Sequence, residues 1–380
     1  MAARRMSKVR SSGTLKMGNL VKALRAKGED VISFTMGEPD FDTPQHIKDA
    51  AAEALRAGLT HYGPSMGIPE MRAAVAAWAS GQHRVPCTPE DVLITPAKHA
   101  IFMSILAHVD DGDEVILPEP AWVSYEPCVS LAGGRCVPLE TREEEGFQVL
   151  PEALAELLSP KTRMVILNTP SNPTGAVLTE ENLRGVADLA NDHDLIVLSD
   201  EIYERIVYEG AHCSIASLDG MAERTITVSG LSKSYAMTGW RIGWLIAPSA
   251  LMAEISKLQE HSLTCVPVFV QKAGVAALTG PQAPVKAMVE EFRARRDLML
   301  RLIGGSLHCP VPHGAFYLFP SYEGEQSSEA LAERLLREAK VATTPGSAFG
   351  KAGEGHLRLS YAASKEDIQV GIERLASAFA

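Results

Sequence analysis

Short runs of almost entirely apolar residues recur through the middle of the chain, separated by segments with helical spacing. Strands without polar alternation are typical of a sheet that is covered on both faces, and their alternation with helices favours a parallel α/β sheet. Helical spacing is clear in 98–109, where Ile101, Ile105 and Leu106 fall on one face. The strands predicted from these runs are 92–95, 115–117, 164–167, 195–198, 225–228 and 242–246.

The pattern changes beyond about residue 290. A long charged helix is predicted over 290–303, and short strands follow at 315–319 and 356–359. With 380 residues, the chain has room for about two domains. We therefore expect a second, smaller α+β domain after the large α/β domain.

Charge and composition exclude several classes of protein. Lysine and arginine number 36 and aspartate and glutamate 47, and this net charge of −11 disfavours a nucleic-acid binder. No apolar run reaches the roughly 18 residues that a membrane-spanning helix needs. The six cysteines form no CxxC pair, which indicates reduced thiols in a cytoplasmic protein rather than a disulfide framework or a zinc site. A transit peptide is an alternative, because the segment before Glu29 contains eight basic residues and no acidic one. This segment runs directly into 21–32, however, which has the pattern of folded protein.

Polar residues that can do chemistry follow or precede several of the predicted strands. Lys233 comes shortly after 225–228, and Asp200 follows 195–198 with Tyr203 close behind. Asn172 lies in a turn that two prolines and a glycine make rigid, and Arg241 directly precedes 242–246. Open α/β sheets bind ligands at the carboxyl ends of their strands. Lys233 alone could be a solvated loop lysine, so the inference depends on all of these residues together.

These residue types fit one cofactor, pyridoxal 5′-phosphate. It needs a lysine amine for its Schiff base and an acid opposite its ring nitrogen. It also needs a hydrogen bond to its phenolic oxygen, and a cation with backbone amides for its phosphate.

Longer motifs around these residues resemble those of the class I/II aminotransferases, which are fold-type I pyridoxal-phosphate enzymes. The resemblance runs from about residue 9 to the C-terminus, with the motifs in the order and spacing of that family. It implies a large domain over 46–290 with a mainly parallel seven-stranded sheet, a small domain formed by 1–45 and 291–380, and a homodimer with shared active sites. The motifs are Gly37-Glu38-Pro39-Asp40-Phe41, Ser171-Asn172-Pro173-Thr174-Gly175, Ser199-Asp200-Glu201-Ile202-Tyr203, Ser232-Lys233, Gly239-Trp240-Arg241-Ile242-Gly243 and Pro345-Gly346-Ser347-Ala348-Phe349.

The resemblance also implies roles around the cofactor ring. Lys233 would form the Schiff base and move the substrate proton, and Asp200 would pair with the ring nitrogen. Tyr203 and Asn172 would bond the phenolic oxygen, while Trp122 would stack on the ring and border the substrate. In this family cis peptides occur at the positions of Glu119-Pro120 and Asn172-Pro173.

For the phosphate, the resemblance implies Arg241, Ser232 and the backbone amides of Ala97 and Lys98 at a helix start. Tyr62 resembles the tyrosine that reaches across the dimer interface to the phosphate of the neighbouring subunit. Through Tyr62, each active site would therefore include one residue of the second chain.

Two departures from the family pattern affect the phosphate site. Pro96 and Ala97 stand where many relatives carry paired glycines, and Pro96 has no N–H to donate. Gly230 stands where some relatives place a phosphate-binding serine, which leaves that role to Ser232. We expect a phosphate site with fewer donors.

The substrate residues are implied in the same way. Arg358 resembles the arginine that binds the substrate α-carboxylate, helped by the backbone of Gly37 and by Asn172; without the resemblance it could be an exposed edge-strand arginine. Lys98 begins a predicted helix, where the helix dipole disfavours a cation, and this hints at a bound anion. In one prokaryotic aspartate-aminotransferase subgroup a lysine at the matching position binds the distal carboxylate, helped by an N-terminal segment that Ser12-Gly13-Thr14 resembles. We therefore expect a dicarboxylic amino acid such as aspartate, with 2-oxoglutarate as acceptor in a ping-pong reaction.

Other functions stay open or are excluded on stated grounds. Aromatic or alanine specificity is an alternative, and a carbon–sulfur β-lyase or an aminocyclopropane-carboxylate synthase would keep the same lysine, aspartate and arginine. A pyridoxal-phosphate-binding transcription regulator would need an added DNA-binding module, and only about eight residues precede the family match. A nicotinamide dehydrogenase is rejected because no GxGxxG opens a helix after a strand.

Overall fold

The computed structural model describes residues 3–9, 13–304 and 307–379. Within these ranges no helix is both long and apolar enough to cross a membrane. The helices are α1 (Gly13–Ala26), α2 (Gln45–Arg56), α3 (Pro69–His83), α4 (Ala97–His108), α5 (Tyr125–Ala132), α6 (Pro151–Leu157), α7 (Glu180–Asp192), α8 (Ser249–Ser262), α9 (Val268–Thr279), α10 (Ala283–Leu302), α11 (Ser328–Glu338) and α12 (Lys365–Phe379). The strands are β1 (Ile32–Ser33), β2 (Val92–Ile94), β3 (Glu114–Glu119), β4 (Arg135–Glu140), β5 (Thr162–Asn168), β6 (Ile196–Asp200), β7 (Thr225–Gly230), β8 (Gly243–Ile246), β9 (Leu307–His308), β10 (Tyr317–Leu318), β11 (Ser321–Tyr322), β12 (Val341–Ala342), β13 (Thr344–Pro345) and β14 (Leu357–Ser360).

Seven strands form the central sheet, in the order β2-β8-β7-β6-β5-β3-β4. β3 to β7 are parallel, and β8 runs antiparallel to both of its neighbours. This confirms the predicted α/β fold with a mainly parallel sheet, and each of the six strands predicted before residue 290 is present. β4 escaped prediction because it lies at the sheet edge, where exposed side chains and Pro138 interrupt the apolar pattern.

The apolar runs bury both faces of this sheet. Along β5, Met164 and Ile166 pack into one core while Val165 and Leu167 pack into another on the opposite face. All four side chains are at most 1% exposed. Helices on both faces therefore explain why these strands lack a polar side.

The parallel strands bring their carboxyl ends to one edge of the sheet. Asn168, at the end of β5, lies in register with Asp200 at the end of β6, and β7 leads into the loop that carries Lys233. The residues predicted to do chemistry therefore meet at this edge, as the sequence pattern required.

The two ends of the chain pack together. β1 pairs in parallel with β12, and Phe34 shares a core with the C-terminal helix α12. A side chain at Gly371 in α12 would come within 2.4 Å of the Phe34 ring, so this helix packs closely on the N-terminal segment. The second domain boundary predicted from the sequence, at residue 290, falls within the continuous helix α10.

Candidate active site

Nearly all of the residues predicted for the site line one cavity of about 740 Å³ at the carboxyl edge of the sheet. The exception is Tyr62, which is 89% exposed and lies outside this cavity, so its role toward a neighbouring subunit stays a prediction. The predicted residues that line the cavity are Gly37, Ala97, Lys98, Trp122, Asn172, Asp200, Tyr203, Ser232, Lys233, Arg241 and Arg358.

Lys233 projects its amine into this cavity from the loop after β7. Its Nζ donates a hydrogen bond to the carbonyl oxygen of Gly37 at 2.5 Å. Burial lowers the pKa of Lys233 to about 8, although the nearby Glu38 carboxylate acts in the opposite direction. A lysine with a lowered pKa presents more neutral amine near pH 7, and the neutral amine is the nucleophile.

Asp200 is a buried acid at the end of β6, only 5% exposed. Its Oδ2 accepts a hydrogen bond from the Tyr125 hydroxyl at 2.7 Å, and its Oδ1 accepts one from the N–H of Ile202 at 3.2 Å. Burial raises the pKa of Asp200 to about 6, against the effect of these two donors. At pH 7 the site therefore offers a buried carboxylate that a cation would stabilise. Sequence reasoning missed Tyr125, which begins α5 and has the appearance of a core aromatic residue.

Tyr203 and Asn172 come from neighbouring strand ends. The Tyr203 hydroxyl lies 2.8 Å from that of Tyr317, and burial raises the pKa of both phenols. The backbone N–H of Asn172 donates to the side chain of Asn168 at 2.8 Å, which fixes the turn. The cis peptides expected at Glu119-Pro120 and Asn172-Pro173 are present, and a third occurs at Thr169-Pro170.

Arg358 is a buried cation on β14, only 3% exposed. Its guanidinium donates to the Asn172 Oδ1 at 3.0 Å and to the Thr35 carbonyl at 2.8 Å, and it lies over the rings of Tyr317 and Phe349. Its Nε is buried without an acceptor. No carboxylate in the described ranges forms an ion pair with Arg358, and burial lowers its pKa. Folding has already removed water from this guanidinium, so binding of an anionic ligand adds little further desolvation cost for Arg358 and gains a charge-assisted hydrogen bond.

A helix start and an arginine meet at another side of the cavity. α4 begins at Ala97 after Pro96, and the first N–H groups of a helix have no partner within it. Arg241 has a positive φ of 54°, and its guanidinium donates to the Thr238 carbonyl at 2.9 Å. Together with Ser232 these groups suit a phosphate.

Two glycines allow this side of the cavity to be compact. Gly230 pairs with Gly243 across β7 and β8, and a side chain at Gly230 would lie 2.8 Å from the Gly243 Cα atom. A side chain at Gly243 would in turn lie 3.2 Å from the Ala97 nitrogen. The close approach of the two strands explains why no serine stands at position 230.

Lys98 also faces the cavity, from the first turn of α4. Its Nζ lies 4.7 Å from the centre of the Trp122 ring, and burial lowers its pKa. Trp122 packs edge-on against Tyr125 at 5.2 Å. Ser12, which the sequence associates with Lys98, lies outside the described residues.

The groups in this cavity match the needs of pyridoxal 5′-phosphate. An amine of lowered pKa, a buried acid and a pair of phenols border one space, and a helix start with an arginine borders the same space. The comparison with known families agrees: the model for "Aminotransferase class I and II" matches residues 29–375. The chain belongs to this family. It is an aminotransferase that depends on pyridoxal phosphate, as the sequence motifs predicted.

Similar proteins give the same family and more than one substrate name. An aspartate aminotransferase of Pyrococcus abyssi is 47% identical, with 91% of each chain covered. An aromatic-amino-acid aminotransferase of Thermococcus litoralis is 44% identical, covering 98% of this chain and 96% of the relative. The structure of the Thermus thermophilus aspartate aminotransferase with maleate superposes with a TM-score of 0.96 at 40% identity and 99% coverage of both chains.

The pKa of Lys233 predicts how cofactor attachment depends on pH. Between pH 7 and pH 9, we expect the rate of attachment to the cofactor-free protein to rise about tenfold and then level off, because the amine is neutral above its pKa. Stopped-flow absorbance measures this rate, with free Nα-acetyl-lysine as the control whose rate keeps rising. A rate that climbs steadily beyond pH 9 would contradict the assignment of the lowered pKa to the reacting amine.

Proposed function

We propose that this aminotransferase takes the amino group of a dicarboxylic L-amino acid, most simply aspartate, and transfers it to 2-oxoglutarate in a ping-pong reaction. The observation that carries the proposal is the presence of two cations, Arg358 and Lys98, in one cavity. Neither has a carboxylate partner in the part of the chain that the structure describes. A substrate with two carboxylates complements both charges.

The names of similar proteins support this choice. Relatives from Pyrococcus abyssi, Musicola paradisiaca and Geobacillus stearothermophilus are named aspartate aminotransferase, at 39–47% identity. Maleate, which occupies the Thermus thermophilus structure, is itself a dicarboxylate.

Each residue has a part in binding and orientation. Arg358 binds the α-carboxylate, and its bond to Asn172 holds both side chains in place. Asp200 would hold the cofactor through its ring nitrogen, and Tyr203 and Asn172 would hold the phenolic oxygen. Arg241, Ser232 and the amides of Ala97 and Lys98 would hold the phosphate. Fixing substrate and cofactor in this way aligns the Cα–H bond for cleavage.

Proton transfer falls to Lys233. Pyridoxal phosphate, when bound, supplies an electron sink that makes the Cα–H bond acidic. With the cofactor bound, the Lys233 amine would accept the proton from the substrate Cα and would then donate it back to complete the transfer. Its pKa of about 8 suits this exchange, because an efficient general base has a pKa near the working pH. Trp122 and Gly37 border the same space.

A second specificity has one observation in its favour. The Trp122 ring beside Lys98 offers an aromatic surface in the substrate region, and the Thermococcus litoralis relative is named for aromatic amino acids. An enzyme that accepts both classes would place an aromatic side chain against this ring.

We also propose the setting in which the site works. The enzyme is a homodimer in which Tyr62 completes the phosphate site of the partner: Tyr62 resembles the interface tyrosine of the family, and its 89% exposure leaves it free to contact a second chain. The small domain, 1–45 and 291–380, closes on the large domain, 46–290, and expels water. Six free cysteines fit a reducing compartment, the cytoplasm.

Replacing Lys98 tests the substrate. In Lys98→Ala, kcat/KM for aspartate should fall about 10- to 100-fold, because a charge-assisted hydrogen bond to the distal carboxylate is lost. Alanine and phenylalanine, which lack that carboxylate, should change little. Lys98→Met, which keeps the apolar stem against Trp122, is the matched control and should lose aspartate activity to the same extent.

Two results would overturn the proposed function. Aspartate activity that survives in both Lys98 variants would remove the argument for a dicarboxylic substrate. Release of pyruvate from cystathionine by the unaltered enzyme, without any 2-oxo acid, would favour a β-lyase instead.

A further inference from the structure

Directly behind Asp200, a group of buried ionisable side chains lies outside the cavity. We call it the Glu201 cluster, and it consists of His83, Glu201, Glu204 and His212. None of the four borders the cavity described above. The proposed reaction uses none of them.

Glu201 is fully buried but well provided with hydrogen-bond donors. Its side chain is 1% exposed and that of His212 is 3% exposed. One oxygen, Oε1, accepts from the hydroxyls of Ser199 at 2.9 Å and Ser214 at 2.8 Å. The other, Oε2, lies 2.9 Å from the Nε2 of His212. Two hydroxyl groups and an imidazole nitrogen therefore surround the Glu201 carboxyl group.

The second half of the cluster packs against the first. Glu204 lies 2.7 Å from the Nε2 of His83 and accepts from the indole N–H of Trp78 at 3.1 Å. The rings of His83 and His212 meet edge to face, with centres 5.3 Å apart. Although burial alone would lower it, the Glu204 carboxylate raises the pKa of His83. Across the described ranges, no group of three or more histidine, cysteine or acidic residues is arranged to hold a metal ion.

Glu201 and Asp200 are consecutive residues, and their side chains point to opposite sides of the strand end. Asp200 faces the cavity while Glu201 faces the cluster. Like charges this close oppose the ionisation of one another. Burial is the main cause of the raised pKa of Asp200, and the charge of Glu201 raises it further. The charged or titratable groups around the two acids are Tyr125, Tyr203 and Lys233 on the cavity side and His83, Glu204, His212 and Cys213 on the other side.

We propose that Glu201 is a positioning residue of this active site: hydrogen bonds from His212, Ser199 and Ser214 hold it as a buried carboxylate, and its charge strengthens the hold of Asp200 on the ring nitrogen of the cofactor. The inference rests on the proposed role of Asp200. The charge acts through electrostatic potential, because Glu201 itself lies outside the cavity.

Cofactor affinity as a function of pH tests this role. Pyridoxal phosphate is titrated into the cofactor-free full chain from pH 5 to pH 8.5, and circular dichroism confirms the fold at each pH. In the unaltered protein, affinity should fall as the pH drops through the pKa of Asp200, because the protonated acid no longer pairs with the ring nitrogen.

Glu201→Gln removes the charge and keeps the shape of the side chain. Two changes are expected together. The loss of affinity moves at least about half a pH unit lower, because Asp200 ionises more readily, and the affinity at pH 8 weakens by about three- to tenfold, because negative potential is lost. Structural damage would weaken affinity at every pH without moving this transition.

His212 provides a second, independent variant. His212→Phe removes the donor to Oε2 and should move the transition in the same direction as Glu201→Gln. His212→Gln keeps an N–H at nearly the same reach and should behave like the unaltered protein. In the double variant, the pH transition should lie where it lies in Glu201→Gln alone, because the carboxylate that His212 contacts is absent. If Glu201→Gln does not fold, the contrast between the two His212 variants decides.

Asp200→Asn distinguishes a failure of the proposed role of Asp200 from a failure of the proposed role of Glu201. If it retains the same pH transition as the unaltered protein, Asp200 is not the titrating group and its proposed role fails. If Asp200→Asn abolishes the transition but Glu201→Gln leaves it in place, the role of Asp200 stands and the inference about Glu201 is overturned.

Discussion

Lys233→Ala is expected to lower kcat for amino transfer at least about 10⁴-fold, because one substitution removes both the covalent attachment of the cofactor and the base that moves the proton. The amine lies among the other predicted site residues, within 2.5 Å of the Gly37 carbonyl. Of the other described lysines that border the cavity, Lys98 lies over Trp122 and Lys22 is exposed, so we expect neither to replace it. Steady-state assays with aspartate and 2-oxoglutarate measure the loss.

The control for this variant is a lysine of the same cavity without a proposed role. Lys22, on α1, also borders the cavity, and Lys22→Ala should keep kcat within about threefold of the unaltered enzyme, as an exposed charge usually contributes little. A Lys233→Ala enzyme that still turned over at a tenth of the normal rate would contradict the assignment.

Arg358→Leu is expected to reduce kcat/KM about 10³-fold for every L-amino acid substrate. The loss of a buried guanidinium that binds a carboxylate bidentately costs roughly 2–5 kcal/mol, and each 1.4 kcal/mol is a factor of ten. Since all amino acids share the α-carboxylate, the loss should be independent of the side chain, unlike that of Lys98→Ala. Arg358→Lys keeps the charge but not the planar fork of the guanidinium, so its kcat/KM should lie between those of the unaltered enzyme and Arg358→Leu.

For Arg358→Leu we expect the stability of the fold to be kept or increased, in contrast to the loss of activity. Arg358 is 3% exposed and has no carboxylate partner in the described chain, so its burial costs free energy in the substrate-free protein. Arg358→Leu should therefore keep or raise the Tm while activity collapses. A Tm that drops by several degrees together with activity would show that Arg358 mainly holds the fold.

Much of the fold followed from the sequence because its strands are buried on both faces. The runs at 164–167 and 195–198 appear as β5 and β6, and their ends bring Asn168 and Asp200 into register. The antiparallel direction of β8 could not be predicted from the sequence, because a buried strand is equally apolar whether it runs parallel or antiparallel. The edge strand β4 was hidden by its exposure.

The site residues that stand in short sequence motifs could be predicted, whereas contacts between residues far apart in the sequence could not. Lys233, Asp200 and Asn172 stand in recognisable segments at strand ends. Tyr125 donates to Asp200 across 75 positions of sequence, and Tyr317 meets Tyr203 across 114. A tyrosine in a helix or strand has the same local pattern whether it supports a core or an acid, so only the folded arrangement identifies these two contacts.

The central claim is that Lys233 carries pyridoxal phosphate in this cavity, and one measurement tests it directly. The protein is incubated with the cofactor, reduced with borohydride, digested and analysed by mass spectrometry. We expect one added pyridoxyl phosphate group per chain, on the peptide that contains Lys233. A label on Lys98 or elsewhere, or an unmodified chain under excess cofactor, would contradict it.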